Sequence, residues 1–91
     1  MLYLDSEIIG FINYFYYEVQ KQKVPWTINV YLHDPAVISD CTIRVTDNNI
    51  HKSYMLYFSK ERISSSSYEQ LTKDAFEEIR KELDRWSLES H

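Results

Sequence analysis

Residues 26–59 read WTINVYLHDPAVISDCTIRVTDNNIHKSYMLYFS, and three runs within this stretch alternate apolar with polar residues. Such alternation predicts strands that bury one face and expose the other. The apolar positions of the three runs, in chain order, are Trp26, Ile28, Val30 and Leu32, then Cys41, Ile43 and Val45, then Tyr54, Leu56 and Phe58. Short, turn-forming connections at residues 34–37 and 48–49 would place all these positions on one face. We therefore predict a three-stranded antiparallel meander with one apolar and one polar face.

The lengths of the two connections also predict how the strands pair. A two-residue turn at residues 48–49 would set Ile43 opposite Tyr54. The preceding connection would set Val30 opposite Cys41. A one-residue slip in either hairpin would move apolar side chains to the polar face, so the apolar pattern argues against such a slip.

Two further segments have the periodicity of amphipathic helices. In residues 5–22 apolar positions recur at helical spacing, and Asp5 can cap the start of the helix. Residues 68–86 carry a second apolar stripe, introduced by serines that offer a capping box. The pairs that could form this box are Ser66 with Glu69 and Ser67 with Gln70.

Together these elements define the expected fold. Both helices need an apolar partner and the meander offers one apolar face, so both are expected to pack on that face. We predict an α+β fold in the order α-β-β-β-α, with a three-stranded antiparallel meander and both helices on one face. Residues 1–91 would form a single domain, in which residues 59–67 are a flexible loop and residues 87–91 a frayed tail.

Composition restricts the class of partner. The 91 residues carry a net charge of −4, and the lysines and arginines form no cluster. Attachment to nucleic-acid phosphates or anionic membranes depends on such clusters, so we expect neither nucleic acid nor membrane as a partner. A single cysteine, with no recognisable leader or membrane-spanning stretch, favours a reducing compartment. We expect a cytoplasmic protein, which would act in the host cytoplasm if a phage encodes it.

No residue pattern in the chain indicates catalysis or a metal site. His33 and His51 lie at opposite ends of the predicted meander and His91 is the terminal residue, whereas zinc ligands must converge. Cys41 faces the predicted core, where a thiol behaves as a small hydrophobe. We therefore expect no catalytic residue, no metal, no cofactor and no enzymatic activity.

Two surfaces carry more aromatic residues than solubility requires. On the polar sheet face Tyr31, Asp40 and Tyr57 would form one row, with Arg44 and Met55 in the neighbouring rows. The alternative surface is the outer side of the first helix, whose residues are Gly10, Tyr14, Tyr17 and Lys21. Tyrosines anchor many protein interfaces, and glycine permits a close approach by another chain. We favour the sheet face, because a rigid sheet would hold its aromatic side chains close together.

Three short motifs accompany this order of elements. Residues 20–26 (QKQKVPW) end the first helix and begin the first strand, residues 34–35 (DP) lie in the first strand connection, and residues 42–45 (TIRV) lie in the second strand. With these motifs the chain resembles the double-stranded RNA-binding domain, and the resemblance implies the same fold. That family holds RNA through lysines at the start of its second helix. The corresponding positions here fall near Tyr68, Glu69 and Thr72. None of these residues is basic, so the resemblance does not extend to the RNA contact.

Small size, mild acidity and absent catalytic groups are typical of stand-alone inhibitors, among them phage-encoded antagonists of bacterial defence (anti-CRISPR-like proteins) and immunity proteins against toxins. By that analogy we predict a non-enzymatic, small acidic protein-binding module that occludes a partner's surface, such as a basic nucleic-acid-binding groove. A second copy of the chain is another expected partner. Two alternatives are a nucleic-acid-binding protein of the double-stranded RNA-binding type and a nucleotide sponge in which Tyr31, Tyr57 and Arg44 hold the ligand.

Overall fold

The computed structural model describes residues 6–33 and 39–89, with side chains as far as residue 85. The elements in chain order are α1 (Ser6–Gln22), β1 (Trp26–Leu32), β2 (Cys41–Asp47), β3 (Lys52–Phe58), α2 (Lys60–Ser65) and α3 (Tyr68–Glu89). The predicted α+β class, the first helix, the three strands and the long last helix are confirmed, and α2 is an additional short helix. The predicted cap at Asp5 and the turn at residues 34–37 lie outside the described residues.

The three strands form one antiparallel sheet in the order β1-β2-β3. Val30 lies opposite Ile43, and Ile43 lies opposite Leu56. The predicted pairings of Val30 with Cys41 and of Ile43 with Tyr54 are therefore wrong by two residues. A two-residue slide leaves every side chain on its original face, so the apolar pattern alone does not distinguish the two registers.

Both connections are longer than predicted, and this produces the shift in register. In the second hairpin the Asp47 carboxylate accepts hydrogen bonds from the backbone N–H groups of Asn49 and Ile50, at 2.8 and 3.3 Å. These bonds hold a four-residue connection, residues 48–51, between the ends of β2 and β3. In the first hairpin the His33 N–H donates to the Asp40 carbonyl at 3.1 Å, so pairing begins there and not at residue 38.

One core lies between the sheet and the helices, as predicted. Phe11 of α1 packs edge-on against Phe58 of β3 with 4.8 Å between ring centroids, and Phe15 stacks on Phe76 of α3 at 5.5 Å. The other buried apolar side chains of this cluster are Ile8, Val19, Cys41, Ile43, Val45, Leu56, Ile63, Leu71, Ala75, Ile79 and Leu83. Since α1 and α3 both contribute to a cluster that includes the inner face of the sheet, both helices cover the same face.

The segment predicted as a flexible loop, residues 59–67, instead contains α2. Ser59 caps this helix by accepting a hydrogen bond from the Arg62 N–H at 3.1 Å, and the Asp40 carboxylate accepts one from the Lys60 N–H at 2.7 Å. Ile63 is buried in the core. The serine-rich composition suggested a linker, but the capping bonds and one buried apolar side chain hold the segment as a helical turn.

The last helix begins and ends close to its predicted limits. Ser67 accepts a hydrogen bond from the Gln70 N–H at 3.1 Å, so Ser67 is the cap. The Gln70 side chain bonds forward to Asp74 and does not complete a capping box. The helix continues to Glu89, so residues 87–89 of the predicted frayed tail are helical, and residues 90–91 lie outside the described part of the chain.

Candidate functional site

The face of the sheet opposite the helices is formed by three short rows of outward-facing residues, which we call the open face. The rows are Tyr31, Thr42 and Tyr57, then Asn29, Arg44 and Met55, then Thr27, Thr46 and Ser53. Tyr31 is 39% exposed and Tyr57 is 50% exposed, while Thr42 between them is 1% exposed. The open face therefore presents two tyrosines that flank a covered threonine at the centre of the sheet.

The sequence predicted Asp40 in the row of the two tyrosines, and this prediction is wrong. The two-residue shift puts Thr42 between the tyrosines and moves Asp40 to the end of the sheet, beside His33. There the Asp40 carboxylate bonds to the first N–H of α2, and one of its oxygens lies 3.8 Å from His33 Nδ1. Asp40 thus holds the start of α2 in place, at the end of the sheet and outside the row of tyrosines.

Thr42 occupies the position between the two tyrosines at which the sequence predicted Asp40. Among the described side chains, its hydroxyl is one of two buried hydroxyls without a hydrogen-bond partner, the other being Thr72. Leaving a buried hydroxyl unsatisfied costs about 1 to 3 kcal/mol. The only sequence signal for this residue would have been the correct register, because threonine is an ordinary residue in a central strand.

Met55 lies in the row beside the tyrosines, as predicted, and the register shift brings Arg44 into that row from the next one, where it was predicted. Arg44 is exposed and its Nε lies 3.4 Å from Ser53 Oγ, at the long limit of a hydrogen bond. Met55 is half-buried. Across the outward-facing strand positions that the structure describes, Arg44 alone is charged, so the open face is aromatic and polar in character.

On the side of α1, Gly10 has a role that the prediction missed. A Cβ atom built on Gly10 would lie 2.8 Å from the hydroxyl oxygen of Tyr68, whose ring packs across the helix at this point. Tyr68 donates a hydrogen bond to the Glu7 carbonyl at 2.9 Å. Gly10 therefore admits a side chain of α3 and is not available for contact with another protein.

Of the remaining residues predicted on the side of α1, Tyr14 and Lys21 line the same groove. Tyr14 lines a groove of about 440 Å³ between α1 and α3 and lies against Tyr68, with 6.4 Å between ring centroids. Partial removal of its hydroxyl from water, with the nearby carboxylates of Glu18 and Glu69, raises the pKa of Tyr14. Tyr17 is 62% exposed, and Lys21 forms a weak 3.9 Å ion pair with Glu18.

In the described residues the potential metal ligands are dispersed and the cysteine is buried. Within residues 6–33 and 39–85 no three side chains of His, Cys, Asp or Glu come close enough to hold a metal ion. Cys41 is buried, and burial raises the pKa of its thiol to about 11. No helix in the described part of the chain has the length and apolarity required to cross a bilayer.

The positions that correspond to the RNA-binding lysines have other contacts. Tyr68 packs on Gly10, and Thr72 is buried between the helices. Glu69 is exposed and acidic. The start of α3 thus offers no positive charge at these positions to a phosphate backbone.

Comparisons with protein-family models, with curated proteins and with solved structures gave no match to this chain. The resemblance to the double-stranded RNA-binding domain therefore stays a prediction.

Proposed function

We propose that the chain is a non-enzymatic protein-binding module and that its open face contacts the partner. The observation that carries this proposal is the row formed by Tyr31, Thr42 and Tyr57, in which two partly exposed tyrosines stand on either side of one central-strand residue. Arg44 and Met55 extend this patch along the sheet. Tyrosine, arginine and methionine are enriched at protein interfaces, and tyrosine and arginine are over-represented among the residues that contribute most to affinity.

The position of the two tyrosines favours binding for an entropic reason. Each stands on an antiparallel strand whose backbone is paired, so association needs to immobilise only two side-chain torsions per tyrosine. The buried hydroxyl of Thr42 has already lost its contact with water in the free protein. A partner that covers the row would therefore not have to desolvate this group.

The mode of action we propose is occlusion of the partner's surface, as in phage-encoded antagonists of bacterial defence and in immunity proteins. Small size, mild acidity and a sequence in which no catalytic group is predicted support this part of the proposal. The carboxylates lie mainly along the exposed side of α3, interspersed with lysines and arginines. A partner with a basic groove would meet α3, whereas a partner that binds the open face would be held mainly by aromatic contacts.

A partner-capture experiment tests the assignment of the surface. The tagged protein would capture partners from lysates of bacterial hosts, and affinity for each captured protein would be measured for the wild type and for variants. We expect Tyr31→Ala with Tyr57→Ala to weaken binding by about 2 kcal/mol or more, without a comparable loss of stability. Tyr17→Ala is the matched control, because it removes a tyrosine of similar exposure from α1.

Three results would count against the proposal. If the double variant keeps full affinity while Tyr17→Ala loses it, the binding surface is on α1. If the wild type binds duplex RNA of about 16 base pairs with sub-micromolar affinity at physiological salt, the alternative nucleic-acid function is correct. A thermal shift with nucleotides that disappears in Arg44→Ala would instead support the nucleotide sponge.

A further inference from the structure

Among the strands that the structure describes, β1 lies at one edge of the sheet, and the side of β1 that faces away from β2 can be derived from the hydrogen bonds at its two ends. Before the strand, the Asn48 N–H donates to the Pro25 carbonyl at 2.9 Å, and after it the His33 N–H donates to the Asp40 carbonyl at 3.1 Å. Antiparallel pairs alternate between hydrogen-bonded and non-hydrogen-bonded, so odd-numbered residues of β1 bond to β2. The residues whose N–H and C=O groups point to the free edge are therefore Trp26, Ile28, Val30 and Leu32.

This edge lacks the features that usually prevent strand pairing between molecules. Its seven residues contain no charge and no proline within the strand. The opposite edge differs, because β3 begins with Lys52 and is flanked by other elements. Tyr54 of β3 donates a hydrogen bond to Glu78 of α3, and Arg62 of α2 lies over the Phe58 ring at 5.0 Å.

The inward-facing side chains of β1 are also incompletely covered. Those of β2 are buried, whereas every inward side chain of β1 is only half-buried. A groove of about 400 Å³ runs between α1 and β1 next to Ile28, and its apolar lining is Tyr16, Val19, Val24, Trp26 and Ile28. A strand added at this edge would therefore gain apolar contacts as well as backbone hydrogen bonds.

The sequence of β1 is complementary to itself about its central residue, Asn29. In an antiparallel pair of two copies centred there, Ile28 lies opposite Val30 of the other copy, and Trp26 lies opposite Leu32. The four residues whose backbone groups point to the free edge then exchange hydrogen bonds with the other copy. Their apolar side chains all lie on the helix-covered face of the sheet. No like charges oppose one another in this strand pair, whereas most edge strands carry charges that would repel a second copy.

From this arrangement we propose that two copies of the chain pair through β1, antiparallel and centred on Asn29, to form a continuous six-stranded sheet. The contact is one strand wide, which is small for a stable dimer, so association is expected in the micromolar range. The proposal is independent of the partner-binding function, because it uses the edge of the sheet and not the open face. In the dimer the two open faces would form one surface.

Cysteine cross-linking tests the register directly. Asn29 would face its own counterpart as a non-hydrogen-bonded pair with about 4.5 Å between Cα atoms, which suits a disulfide. We expect Asn29→Cys to form a disulfide-linked dimer under mild oxidation. Thr27→Cys is the matched control on the same face. Thr27 would face Tyr31 of the other copy, about 13 Å from the second Thr27 at strand rise, so this variant should stay monomeric. The native Cys41 is buried and should not interfere.

Sedimentation of the wild type at low to high micromolar concentration gives the second measurement. We expect a shift from monomer toward dimer, and we expect Ile28→Lys to abolish it by placing a charge at the inner side of the edge. A wild type that remains monomeric throughout this range would overturn the proposal. Equal cross-linking of Asn29→Cys and Thr27→Cys would also overturn it, and that comparison stays decisive if Ile28→Lys does not fold.

Discussion

Replacing Gly10 with alanine would raise the helix propensity at this position and would also create a steric clash with Tyr68. At an ordinary position inside a helix this substitution stabilises the folded state by about 1 kcal/mol. Here the new Cβ would lie 2.8 Å from the Tyr68 hydroxyl oxygen and 3.1 to 3.2 Å from two ring carbons, closer than van der Waals contact. The ring cannot move away without cost, because it also lies against Phe11 and Tyr14 and bonds to the Glu7 carbonyl.

The two effects can be weighed against each other. Overpacking a well-filled contact costs about 1 to 3 kcal/mol, and losing a hydrogen bond costs about 1 kcal/mol. Set against the gain of about 1 kcal/mol from helix propensity, these costs give an expected net loss of about 1 to 3 kcal/mol for Gly10→Ala. In a chain that already carries Tyr68→Ala the clash is absent, and the same substitution should stabilise by about 1 kcal/mol.

Urea unfolding followed by circular dichroism would measure all four chains of this double-mutant cycle, at concentrations below those at which dimers are expected. The decisive quantity is the coupling free energy between the two positions, expected at about 2 to 4 kcal/mol. If Gly10→Ala stabilises the protein equally in both backgrounds, the contact with Tyr68 does not explain the glycine. The position would then again be open to an external partner.

Three further predictions concern the core and its titrating groups. Ile63→Ala should lower the free energy of unfolding by about 2 to 4 kcal/mol in urea titrations, and a loss below about 0.5 kcal/mol would mean that α2 is not anchored. The hydrogen bond to Glu78 raises the pKa of Tyr54 to about 12, so the folded state holds this proton more tightly than the unfolded state. Stability should therefore fall as pH rises from about 10 to about 12, and Tyr54→Phe should remove that component from the pH dependence of unfolding. Cys41 should react with a thiol reagent only as fast as the protein unfolds, and rapid labelling in native buffer would contradict its burial.

The fold class was predictable because its signals are local. Alternation over three runs and two amphipathic stripes are visible within windows of seven to twenty residues, and each of them predicts an element that the structure contains. The register was not predictable by the same means. A slide of two residues preserves the alternation, and the bonds from the Asp47 carboxylate that favour the longer connection depend on a loop conformation.

The candidate site was predictable only in part, for the same reason. Tyr31 and Tyr57 share a row in both registers, so their predicted proximity is confirmed, whereas Thr42 occupies the position predicted for Asp40. Gly10 was misread because its neighbour is 58 positions away in the chain, and no local pattern reports a contact of that kind. The need for a glycine at position 10 arises from tertiary packing against Tyr68.

The near-absence of charge on the open face has a consequence for the kinetics of binding. Arg44 is the single charged side chain among the outward-facing residues of the described strands, and a lone exposed charge is screened within about 8 Å at physiological ionic strength. A partner approaching this face would receive little electrostatic steering. Its association rate constant should therefore be about 10⁵ to 10⁶ M⁻¹ s⁻¹ and change little with salt concentration. Differences in affinity among partners would then arise mainly from how slowly each complex dissociates.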